Sequence, residues 1–152
     1  MKKGKSILAV ILVVAMTMAG AGAASMKETP AAEATLVMVT PRESAQLARY
    51  TAYIVALGDG MLEVAVDVYG THKPMIKIGI EELHVECETS PGVWRDWAVY
   101  KNLYTENALS HNEVINVSGI VGRAYRVRVT VFAEDSRGRD TGTLLSGSAI
   151  AT

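Results

Sequence analysis

Three groups of side chains in this sequence have the types and spacing to do chemistry. His72, His84 and His111 are the only histidines. Zinc takes imidazoles together with a carboxylate, but no two of these fall at ligand spacing. Only His84 has acids nearby, Glu82 and Glu86, on one face of its own strand. The three read as surface histidines, and neither a metal site nor a cofactor is expected. Glu81, Glu82, Glu86 and Glu88 form an acidic cluster, and Arg123, Arg126 and Arg128 a basic one. Two acids across a cleft could hydrolyse a glycosidic bond. Here the acids would lie beside arginines, and a small sandwich has little cleft. A charge ladder is expected instead, with Glu86 and Glu88 facing Arg126 and Arg128 and fixing the register of two neighbouring strands. The exchange Glu86→Arg with Arg128→Glu would test it. No Gly-x-Ser-x-Gly elbow is present, and the lone Cys87 has inward parity, where burial disfavours the thiolate. The turns at 58–60 and 135–140 have too few acids for a calcium loop. The expectation is a protein that is not an enzyme, with a small secreted hydrolase as the least supported alternative.

The third group is aromatic. Trp94, Trp97 and Tyr100 lie on one predicted strand, Val93–Leu103. Simple alternation puts Trp94 and Tyr100 on one face and Trp97 on the other. One face could then present an aromatic platform of the kind that stacks on sugar rings. Alternatively, one tryptophan fills the core and the other packs at an edge. These three are the candidate binding residues.

The elements that position them follow from composition and period. The chain has 152 residues, 49% hydrophobic and 20% charged, enough for one packed domain and too apolar for general disorder. A formal charge of −1 argues against a general nucleic-acid binder, and one cysteine excludes an internal disulfide framework. Lys2, Lys3 and Lys5 precede an apolar run from Ile7 to Ala19, and small residues Gly20–Ala24 follow. This is the pattern of a cleavable export signal over 1–24. The run is short of the about 20 residues a membrane helix needs, so no stable span is expected after cleavage. Removal leaves 12 basic against 16 acidic residues.

Residues 25–48 read as a lead-in, with Thr40-Pro41-Arg42-Glu43 offering a helix start over 41–48, or else coil or an edge strand. From Tyr50 the period becomes two. Tyr50, Ala52, Ile54 and Ala56 share a face, as do Leu62, Val64, Val66 and Val68. His72–Gly79 is irregular around Pro74. Ile80–Glu88 alternates again, Thr105–Asn112 reads as a polar connection, and Glu113–Ser118 is a short strand. Ala124–Glu134 is the clearest strand, and Asp140–Ala151 closes the domain. About seven strands over 49–152 predict an all-β, antiparallel two-sheet sandwich, with a closed barrel as the alternative.

The segment Gly122-Arg-Ala-Tyr125-Arg-Val-Arg-Val-Thr-Val-Phe-Ala133 resembles the penultimate strand of fibronectin type III and immunoglobulin-like domains. The resemblance implies that the Tyr125 hydroxyl bonds to backbone upstream. There is no Cys–Trp–Cys set, so a true immunoglobulin domain is not implied. The hairpin at 50–70, Met75-Ile-Lys-Ile-Gly79, the tryptophan strand at 94–97 and Gly122-x-x-Tyr125-Arg-Val together resemble an uncharacterised family of small secreted β-sandwich proteins from Gram-positive bacteria. That likeness implies export and carries over no catalytic residue.

The functional expectation is an exported, non-catalytic module at or outside the cell surface, associated with the envelope or free. Its partner would be a glycan or another surface protein, and neither nucleic acid nor membrane. The alternative is a structural protein that assembles through a sheet edge.

Overall fold

The computed structural model describes residues 35–40 and 44–152. The export signal, most of the lead-in, and Pro41 and Glu43 of the expected helix start lie outside the described residues.

Eight strands account for nearly everything described. They are β1 (Val37–Val39), β2 (Leu47–Gly58), β3 (Met61–Gly70), β4 (Met75–Ser90), β5 (Val93–Ala108), β6 (Ser110–Ser118), β7 (Ala124–Asp135) and β8 (Gly138–Ile150). They form two four-stranded antiparallel sheets, ordered β1-β2-β3-β6 and β5-β4-β7-β8. The sheets pack face to face because each has one apolar side. Leu62, Val64, Val66 and Val68 of β3 meet Ile78, Ile80, Leu83 and Val85 of β4 and Val127, Val129 and Val131 of β7 in one core. Each such side chain contributes about 1.5–3 kcal/mol by leaving water.

The described part of the lead-in belongs to this sandwich. β1 pairs with Tyr50–Ala52 of β2, and Leu47 is buried. Where the helix was expected to run on, residues 44–46 bend and β2 begins at Leu47. The Ser44 hydroxyl accepts the Leu47 amide at 2.7 Å and donates to Asp140 of β8 at 2.6 Å. It caps a bend rather than a helix, because the apolar residues that follow have a period of two.

Two further expectations are corrected. β4 starts at Met75, directly after Pro74, and absorbs the irregular stretch. Here a Cβ at Gly79 would strike the Leu103 carbonyl and the Tyr104 backbone, so glycine lets β5 lie close. The expected polar connection Thr105–Asn112 is strand almost throughout. The chain passes from one sheet to the other at Leu109, whose carbonyl accepts the Gly70 amide at 2.7 Å. Asn102 and Asn107 carry left-handed φ of 57° and 52°, a backbone that asparagine tolerates better than other residues with side chains. These kinks make β5 a long but irregular edge, which discourages pairing by other chains.

Tyr125 ties the end of the molecule together. It is fully buried at the start of β7, and its hydroxyl accepts the Ile120 amide at 2.8 Å. A Cβ at Gly119 would lie 2.9 Å from the Tyr125 ring, so the β6–β7 connection can close over the ring only with glycine there.

Candidate functional site

The charge ladder forms on the outer face of the β5-β4-β7-β8 sheet, with Glu86 on both expected arginines but without Glu88. Glu86 sits opposite Arg126 in register and bridges two guanidiniums, Arg126 Nε at 2.7 Å and Arg128 Nε at 2.9 Å. Arg126 also lies over the Trp94 ring at 4.2 Å. Burial of Glu86 raises its pKa, but the two guanidiniums outweigh burial and hold it below the ordinary carboxylate value. Glu88 does not join. The β4–β7 register ends at Cys87, and Glu88 pairs instead with Trp94 of β5 and accepts the Gly92 amide at 2.7 Å.

Beside this pair runs a second chain of contacts. His84 lies between Asp96 at 2.9 Å and Glu82 at 3.1 Å, and Lys101 meets Glu82 at 2.6 Å. The Lys101 ammonium, then the His84 ring, hold the Glu82 carboxyl down at about 2. Glu81, Glu82 and Glu86 are thus each bonded to a cation and Glu88 to a backbone amide, an arrangement that ties neighbouring strands together. Among the described residues no group of three or more His, Cys, Asp or Glu is placed to hold a metal ion.

The aromatic residues separate onto three surfaces. Against β4, Ala98 pairs with Val85 and Asp96 with Glu86, which leaves Trp97 as the extra residue of a β-bulge. One added residue reverses parity. Trp94 therefore lies on the outer face, while Tyr100 pairs with Leu83 and packs against the core. The expected shared face of Trp94 and Tyr100 does not exist, and with it goes a platform built on that pair. Trp97 turns to the end of the molecule. Its ring meets Tyr125 edge-on, with centroids 5.7 Å apart, and its Nε1 donates to the Ser118 carbonyl at 2.8 Å. It remains 43% exposed, so a large ring is offered to solvent in a fixed position.

Trp97 is one wall of a cleft. Thr89, Arg95, Asp96, Ile120 and Arg123 complete it, and Cys87, only 4% exposed, lies at its floor. The cavity is about 350 Å³, within the range of small-ligand sites. Arg95 pairs with Cys87, and so leaves β5 on the same side as that thiol, while itself remaining exposed. Arg123 Nη1 donates to the carbonyls of Glu88 and Thr89, each at 3.3 Å. Sequence reasoning counted Arg123 in the basic cluster, outside the ladder, and passed over Arg95. The available signal was an arginine at the inward parity of Cys87, visible only once the hairpin register is known.

His111 sits apart, 6% exposed on β6, with Nδ1 3.0 Å from the Thr105 hydroxyl and Nε2 3.6 Å from Glu113. It is buried, and not the surface residue expected. Burial pushes its pKa below 6.5, with Glu113 pulling back. The unfolded chain therefore binds a proton that the folded chain refuses. Stability is full above pH 6.5 and falls as pH drops toward the folded value. The urea midpoint should be lower at pH 5 than at pH 7.5, and His111→Gln should flatten that difference. An unchanged slope in the variant would contradict this assignment.

Compared with known proteins, the sequence matches no family model and no curated protein.

Proposed function

We propose that this chain is an exported, non-catalytic binding module that acts at or outside the cell surface and takes its partner, a glycan or a surface protein, in the Trp97 cleft. In this reading residues 1–24 are the export signal, and the sandwich expected over 49–152 also takes in β1 and the Leu47 start of β2 from the lead-in. The sandwich is of the fibronectin type III kind. Support comes from the placement of β2, β3 and β6 in one sheet and β5, β4, β7 and β8 in the other, and from the hydroxyl of Tyr125 bonding to backbone five residues upstream. The likeness to small exported proteins of Gram-positive bacteria belongs to the same reading.

One observation carries the binding assignment: a part-exposed tryptophan, braced by a ring and a hydrogen bond, over a cavity flanked by two arginines. Exposed aromatics of this kind anchor interfaces. The remaining aromatics offer less. Trp94 is stacked under Arg126, and Tyr100 faces the core. An array of glycans and surface proteins should give a signal that Trp97→Ala removes. The variant should stay folded, losing about 1–2 kcal/mol for the ring contact and the Ser118 hydrogen bond. Equal signal from the variant would contradict the reading.

A second reading, assembly through a sheet edge, draws on β2. Among the described residues β1 covers only Tyr50–Ala52, so Tyr53–Leu57 has no strand on that side, and Leu57 is exposed. Size-exclusion chromatography separates the two readings, because a monomer at high concentration contradicts assembly.

A further inference from the structure

We infer that the cleft recognises a carboxylate-bearing sugar ring, a uronic-acid unit of an acidic glycan, with Arg95 and Arg123 on the carboxylate and Trp97 against the ring. This rests on the cleft being the binding site.

Charge is the first argument. Among the described residues the carboxylates near arginines serve Arg126, Arg128, Arg137 and Arg139. Neither Arg95 nor Arg123 has such a partner. Asp96 also lines the cleft, but it bonds to His84 at 2.9 Å and faces Arg128 at 3.7 Å. Arg123 spends its bonds on two backbone carbonyls, which position the guanidinium without neutralising it. Two positive charges thus face one small cavity in a chain whose formal charge is −1. A guanidinium binds a carboxylate through paired N–H donors.

The backbone supplies the second argument. Peptide termini and free phosphate are usually captured by convergent amide N–H groups. Here the Ile120 amide is taken by Tyr125, the Gly119 amide by the Gly60 carbonyl and the Gly122 amide by the Ala151 carbonyl. No nest of amides is free on that wall, so side chains must supply the recognition. They combine two cations with one large apolar ring, a set that suits a ligand with an anion on one side and a C–H-rich face on the other. A pyranose with a carboxylate has both. The same three backbone bonds hold the wall in place before the ligand arrives, which lowers the entropy lost on binding.

The test is a set of tryptophan-fluorescence titrations with glucuronate, galacturonate and mannuronate oligosaccharides, each beside its carboxyl-reduced counterpart. At least one acidic sugar should bind about tenfold or more tightly than its reduced form. Arg95→Gln and Arg123→Gln should each remove most of that preference. Both arginines lie outside the core, so thermal melts should be nearly unchanged, and salt should weaken only the acidic series. Equal binding of the two forms overturns the carboxylate assignment and leaves the cleft reading standing. Preference retained in both variants overturns the role of these arginines. Binding of a peptide with a free C-terminal carboxylate, with all sugars silent, overturns the sugar assignment alone. Silence from every probe overturns this inference, and the cleft reading falls only if the array of glycans and surface proteins is silent as well.

Discussion

Tyr125→Ala should lower the unfolding free energy by about 3–5 kcal/mol, a large part of the about 5–15 kcal/mol a domain has. The side chain is fully buried at the start of β7, and three separate contacts depend on it. Its ring supports Trp97 edge-on at 5.7 Å, Gly119 closes over it, and its hydroxyl takes the Ile120 amide at 2.8 Å. Tyr125→Phe separates these roles. It keeps the ring and strands the Ile120 amide, for a loss of about 1–2 kcal/mol. Urea titration reads both values. A phenylalanine variant as unstable as the alanine variant would mean that the hydroxyl, and not ring burial, carries the stability. A neutral phenylalanine variant would mean that the Ile120 amide finds water and the β6–β7 wall is loosely held.

The second large effect is expected at Glu86. Glu86→Arg would place three guanidiniums together on the outer face, with Arg126 and Arg128 losing the carboxylate they share. A loss of about 3 kcal/mol is expected, below the upper end for buried pairs because both arginines reach solvent. The register also corrects which partner should restore stability. Alternation alone suggested Arg128, but Arg126 is directly opposite. Arg126→Glu should therefore recover more than Arg128→Glu in the Glu86→Arg background. A thermal double-mutant cycle measures the coupling, and additive losses would contradict the pairing. Acid should act in the same direction. Glu82 and Glu86 are both held below 4.5 in the fold, so their contribution is present above that pH and is lost as pH falls through their folded values, which for Glu82 is about 2.

The all-β architecture was legible because β2, β3 and β7 alternate where they cross the core, and β4 alternates on either side of a bulge at Glu81. Side-chain parity within those strands was legible for the same reason: Cys87 and Tyr125 face inward, and Glu86 and Arg126 outward. Parity on β5 was not. Its three irregularities, at Trp97, Asn102 and Asn107, are set by how it fits against β4, and nothing in a single strand's period announces them. The bulge at Trp97 dissolved the expected platform and created the cleft, so the error and the site have one cause. Likewise the change of sheet at Leu109 has no glycine or proline to mark it. Asn107, Ser110 and Asn112 around it favour turns without fixing where one falls, and the stretch reads as polar connection. The short β1 was hidden because three residues are too few to show a period. Arg95 was passed over because it becomes notable only when paired with Cys87, and pairing is a property of two strands.

The geometry on which the site depends is the single extra residue on β5. A two-dimensional NOESY spectrum of the protein tests it directly. The account predicts cross-peaks between the Trp97 and Tyr125 rings and between Trp94 and the Arg126 side chain, with Tyr100 contacting Leu83. Cross-peaks that bring Trp94 and Tyr100 together on one face, with none from Trp97 to Tyr125, would contradict it.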